Sequence, residues 1–163
     1  MFIQSKKCNI MKKLINFILS LFKKKVYHKK VYSKYYINEF DINLFNELNL
    51  YREKKGLPLL LLGSDKCFDI VGNHIDWLYN NITSMEDFKE KGHYYFNDRA
   101  IEIQKEVGSK NIGEVLAYKF KTTLSVVNAW DKSEKHSKIL NDNRFTHVVP
   151  VSKGDCIIAL FYN

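Results

Sequence analysis

The chain reads as an α+β domain behind a basic leader, and three observations carry that reading. Apolar residues recur at helical spacing through residues 41–107. The period then changes to a strand-like run at 112–120. Two apolar runs, 145–151 and 155–162, close the chain around Ser152-Lys153-Gly154-Asp155, a hairpin turn with glycine where φ can be positive. Helices first and an antiparallel hairpin last is the order of an α+β fold, not of alternating βα units.

The leader comes first in the chain. Of the 26 Lys+Arg residues, ten are lysines within residues 1–35, a stretch with no acid. The remaining 16 face 18 Asp+Glu in residues 36–163. The formal charge of +8 therefore belongs to the leader, and the rest of the chain is close to neutral. A basic groove for phosphates is not supported, so no nucleic-acid partner is expected. From Met11 the chain runs K-K-L-I-N-F-I-L-S-L-F-K-K-K. Lysines, nine mostly apolar residues and three more lysines suit a signal peptide, with Met11 as an alternative start, although no small-residue cleavage site follows. The run is too short to span a bilayer, which needs about 20 residues. It also suits an interfacial helix touching an anionic membrane surface through residues 11–30; an unstructured basic tail is the third reading. Residues 1–40 are assigned to this leader and its linker, whose tyrosines lie on the domain, and 41–163 to the domain.

Asp41 serves as the N-cap of a first helix with Ile42, Phe45 and Leu48 inward, ended by Gly56 and Pro58. Ser64 or Asp65 caps a second, with Cys67, Phe68, Ile70, Val71, Ile75 and Leu78 as its apolar positions and Asn80-Asn81 as its stop. A polar stretch to Gly92 reads as loop or short turn. A third helix covers 94–107 and ends at Gly108, where a left-handed cap is favoured. Thr122 or Thr123 caps a fourth through Val126, Val127 and Trp130. Residues 130–140 read W-D-K-S-E-K-H-S-K-I-L. As helix or turn-helix, this stretch sends Trp130 into a core. Ser133 and His136, three residues apart, then share a face, and the histidine sits at the lip of a cleft. Cys67 and Cys156 lie on apolar patterns and read as buried free thiols; a bridge in an oxidising compartment is the alternative. No Cys/His spacing suggests a structural zinc site.

Four pieces stand in order: L-N-L-Y-R-E-K-K-G-L-P-L at 48–59, G-H-Y-Y-F-N-D-R-A at 92–100, I-G-E-V at 112–115 and the W-D-K-S-E-K-H stretch from 130. Together they resemble the CAP superfamily (cysteine-rich secretory proteins, antigen 5, pathogenesis-related group 1), particularly its cysteine-poor bacterial SCP branch. The resemblance covers about residues 42–163. It implies a three-layer α-β-α sandwich with a small antiparallel sheet and a cleft on one side. It carries the family's cleft histidines onto His93 and His136 and the glutamate of its G-E-N motif onto Glu114. The asparagine of that motif is Val115 here. The second cleft glutamate falls near Ser133, leaving a His-Glu-His triad. By the same resemblance His74 is structural, and Arg99 ties its helix to neighbouring acids.

Two imidazoles and a carboxylate can hold a divalent cation with open positions, Zn or another, chiefly through His93 and His136. They can equally serve as general acid and base, or order a cleft floor as a polar cluster. Ser133 near His136 lacks a G-x-S-x-G elbow and nameable oxyanion donors. His147 reads as a surface or packed residue. The expectation is a non-enzymatic, exported or membrane-surface CAP-domain protein, secreted or membrane-associated outside the cytoplasm. It binds a ligand or protein partner through His93, Glu114, Ser133 and His136. The alternative is a metal-assisted or histidine-dependent hydrolase using His93, Glu114 and His136.

Overall fold

The computed structural model describes residues 35–163; the leader expectations for residues 1–34 lie outside the described residues. Helix α1 spans Glu39–Lys54. Its cap is Asn38, whose side chain accepts the Asp41 N–H at 3.0 Å, while the Asp41 carboxylate accepts the Asn38 N–H at 3.1 Å. This is a capping box. Asp41 is therefore the third helical residue and not the cap, because Asn38 offers an equally good acceptor three residues earlier. The Tyr35 hydroxyl and the Ser152 hydroxyl also donate to Asp41, at 3.0 and 2.6 Å. The carboxyl group is completely buried, and burial raises its pKa to about 7 against these hydrogen bonds. Tyr35 stacks over Phe68 in a notch left by Gly72, where a Cβ would lie 2.7 Å from the tyrosine ring.

Four strands form one sheet in the order β1-β3-β4-β2: β1 Leu61–Leu62, β2 Ile112–Tyr118, β3 His147–Lys153 and β4 Cys156–Tyr162. The β1/β3 pair is parallel and the other pairs are antiparallel. Gly154 takes φ +58 in the β3–β4 turn. Helices α2 (Asp65–Asn81), α3 (Met85–Lys91) and α4 (Phe96–Val107) cover one face. Helices α1, α5 (Thr123–Lys132) and α6 (Glu134–Leu140) cover the other. The result is a three-layer α-β-α sandwich.

Two cores follow from strand alternation. Leu116, Tyr118, Val149, Val151, Ile158, Leu160 and Tyr162 pack towards α2. Val115, Ala117, Val148, Ile157, Ala159 and Phe161 pack towards α1 and α5, around the buried Trp130. The Trp130 indole N–H donates to the Leu116 carbonyl at 2.8 Å. Cys67 and Cys156 are both buried and free.

The first of the four sequence pieces is explained by two side chains of α1. Asn49 accepts the Leu60 N–H at 2.8 Å and donates to the Leu60 carbonyl at 3.0 Å, which fixes the chain leading into β1. Arg52 is fully buried and, among the described residues, meets no carboxylate in hydrogen-bond contact. Its guanidinium donates to the carbonyls of Pro58, Leu140, Asp142 and Phe145. It thereby ties the end of α6 and the loop after it to α1.

Candidate functional site

The site grows from the alternation of β2. Gly113 shares a face with Val115 and Ala117 and meets α6: a Cβ there would lie 3.1 Å from both Ile139 and Phe145. Glu114 points the other way, towards α4, where Arg99 waits. The Arg99 Nε donates to Glu114 Oε2 at 3.1 Å, and Nη2 lies 2.8 Å from both carboxylate oxygens. Both side chains are buried, 6% exposed for Arg99 and 1% for Glu114. Burial pulls the Arg99 guanidinium below its ordinary pKa and Glu114 opposes that shift. The resemblance had implied an acid partner for Arg99; that partner is the cleft glutamate itself.

His93 completes the arrangement. Its Nδ1 lies 3.0 Å from Glu114 Oε1, while 57% of its side chain is exposed. It sits on the short α3–α4 loop, which two buried side chains brace. His74 Nε2 meets the Gly92 carbonyl at 2.8 Å. Arg99 Nη1 donates to the Tyr94 carbonyl at 2.6 Å. Burial, then the Arg99 charge, lowers the His74 pKa to about 4. The ring is therefore neutral near pH 7, and its Nε2–H donates to the carbonyl. Tyr95 takes φ +59, left-handed backbone that is costly for a residue with a Cβ. The loop presents His93, Tyr94 and Tyr95 to solvent, with both tyrosine rings within about 6 Å of Trp77.

Beside His93 lies an open cleft of about 390 Å³. Phe96, Ile112, Ile139 and Phe145 give it apolar walls, and Lys138, Asp142 and Arg144 a charged rim. Both rim cations have acid partners, Lys138 with Glu134 and Arg144 with Asp142.

The other two expected site residues are placed differently. Ser133 is where α5 ends and α6 begins, with φ −89 and ψ 118, so residues 130–140 are two helices and not one. The Ser133 side chain makes no capping bond and does not line the cleft. His136 is half-buried on α6. Burial, followed by the charges of His93 and Lys135, holds its imidazole below the ordinary value. His93 is thus an electrostatic neighbour of His136, but no hydrogen bond joins His136 to Ser133 or to Glu114 among the described residues. His147 is a packed residue: its ring stacks on Tyr162 at 4.9 Å.

A divalent metal between His93 and His136, with Glu114 as third ligand, does not fit these residues. Both Glu114 oxygens are engaged by Arg99, and a cation there would face the guanidinium charge at close range. Among the described residues, no group of three or more His, Cys, Asp or Glu side chains could hold a metal ion.

Trp77, Tyr94 and Tyr95 belong to the site without a motif that marks them. The run H-Y-Y-F after Gly92 was the visible signal, since three consecutive aromatics after a histidine cannot all face a core.

No family model matches the chain, and no curated protein matches it. Solved structures do. An extracellular protein containing an SCP domain from Bacillus anthracis str. Ames superposes with TM-score 0.58 at 24% identity, covering 74% of this chain and 39% of its own. A cysteine-rich secretory protein from Staphylococcus aureus subsp. aureus Mu50 gives TM-score 0.61 at 17% identity over 79% of this chain and 41% of its own. An outer surface protein from Borrelia burgdorferi gives 0.60 at 21% identity, over 83% of this chain and 97% of its own. The fold is that of the CAP, or SCP, domain.

This CAP-fold chain spans about two fifths of the length of the first two of these structures. Among the described residues of the CAP fold, no helix is long and apolar enough to cross a membrane.

Proposed function

We propose that this chain is a non-enzymatic CAP-domain protein, acting outside the cytoplasm, that binds a ligand or partner at the cleft beside His93. The observation that carries the reading is the cost of the arrangement around one exposed imidazole. A buried ion pair, a buried neutral histidine and a left-handed tyrosine all hold the loop that presents it. Buried ion pairs are weak devices for stability alone, and strained backbone clusters where function needs it. His136 borders the same region through its interaction with the His93 charge.

Binding is favoured over hydrolysis by the side chains at hand. No Ser, Thr or Cys side chain is hydrogen-bonded to His93 or His136 among the described residues, so neither imidazole has a protein nucleophile to activate. Support for an extracytoplasmic setting comes from the solved structures described as extracellular or outer-surface proteins and from the lysine-flanked apolar run of the leader. Residues 11–30 would serve as an export signal or as a contact with a membrane surface.

The test is a fragment screen by two-dimensional amide NMR on the full chain, wild type beside His93→Ala. The reading expects hits whose shifts cluster on residues 93–96, 112–114 and 139–145 and weaken in the variant. Hits scattered over the surface, equal in both proteins, would overturn it.

A further inference from the structure

The four groups Tyr94 O, Arg99, Glu114 and His93 form a one-directional chain of hydrogen bonds. Arg99 only donates: Nη1 to the Tyr94 carbonyl, and Nε and Nη2 to Glu114. A guanidinium has no acceptor, and a carboxylate paired with it has no proton to give. Glu114 Oε1 therefore accepts from His93 Nδ1. In the neutral imidazole the proton then sits on Nδ1, and Nε2 carries a lone pair. Nε2 has no protein partner among the described residues, and the imidazole is more than half exposed beside the cleft.

From this we infer that Arg99 is a positioning residue that makes His93 Nε2 an outward hydrogen-bond acceptor. The ligand of the cleft accordingly carries an O–H or N–H donor attached to an apolar body. The donor meets Nε2, and the body lies against Phe96, Ile112, Ile139 and Phe145. An anionic ligand gains little there. The Arg99 charge is spent on Glu114, and Lys138 and Arg144 each face a carboxylate. The inference rests on the reading of this cleft as a ligand site, and it adds the chemistry of the ligand.

The experiment uses the full chain, labelled with ¹⁵N, at pH 8. A long-range ¹H–¹⁵N spectrum reads the His93 tautomer, assigned by its loss in His93→Gln. The expected result is protonated Nδ1 and bare Nε2. Three probes follow: benzyl alcohol, benzyl methyl ether and benzoate. Benzyl alcohol should shift His93 saturably and bind about three- to tenfold tighter than the ether, the span of one net hydrogen bond, with benzoate weakest. In Arg99→Gln the Glu114 carboxylate is no longer held against Nδ1, and both the tautomer preference and the preference for the alcohol over the ether are lost. Should that variant not fold, the wild-type spectrum and probe series decide. A tautomer protonated at Nε2 overturns the Arg99 role while leaving the cleft as a ligand site. Equal affinity for alcohol and ether, or benzoate binding tightest, overturns the donor requirement. No binding by any probe overturns that requirement and the proposed cleft function together.

Discussion

Arg99 and Glu114 meet through two guanidinium nitrogens and both carboxylate oxygens, at 2.8–3.1 Å, with each side chain almost wholly buried. The pair links α4 to the middle layer of the sandwich and sets what His93 can do.

Removing one partner leaves a buried charge with nothing to meet it. Arg99→Met and Glu114→Leu should each destabilise the fold by about 3–5 kcal/mol. The double variant should cost much less than the sum, because neither charge then remains. Urea denaturation of the four proteins measures the coupling. A double variant as unstable as the two singles added would show that the residues do not act as a pair.

His74 and Asp41 give stability slopes of opposite sign. The His74 pKa falls from 6.5 to about 4 on folding. Between those values the unfolded chain binds a proton that the native chain does not, so this contribution is full above pH 6.5 and is lost as pH falls towards 4. Asp41 rises from 3.8 to about 7. Its contribution is full below pH 3.8 and is lost as pH rises towards 7. Each is worth on the order of 3–4 kcal/mol across its full window. From pH 4 to 6.5, His74→Gln should therefore lose stability relative to wild type, and Asp41→Asn should gain it. Slopes unchanged in both variants would contradict these environments.

Gly113 sits where a side chain would be tight. An alanine Cβ would press on Ile139 and Phe145 at 3.1 Å, and both line the cleft. Gly113→Ala should cost about 1–2 kcal/mol by overpacking and shift the amide resonances of α6. A variant as stable as wild type, with α6 unmoved, would show that the contact relaxes freely.

Much of this molecule was legible from its residues. The helical spacing of α2 and the glycine at the β3–β4 turn gave elements close to those observed, since a long amphipathic period and a positive-φ turn are local signals. The two-residue β1 was not legible, because a period needs more residues to register. Helix α3 carries no buried residue, so its sequence has no apolar stripe and read as a loop. The break at Ser133 was left open: residues 130–140 suit either one helix or a turn and a helix, and only packing decides between them. For the site, His93 and Glu114 were found together. The pairing of Glu114 with Arg99 in place of a metal depends on strand β2 turning that carboxylate towards α4, which no spacing along the chain reveals.

Glu114 is held by the Arg99 guanidinium, and His93, Glu114 and His136 do not together form a metal site. Calorimetric titration of Zn²⁺ into the full chain, beside the His93→Ala/His136→Ala double variant, tests it most directly. Heats indistinguishable between the two folded proteins are the predicted result. Saturable one-to-one binding by wild type that vanishes in the double variant would contradict it, and would mean that the histidines hold the ion, through the bare His93 Nε2 or with Glu114 released from Arg99.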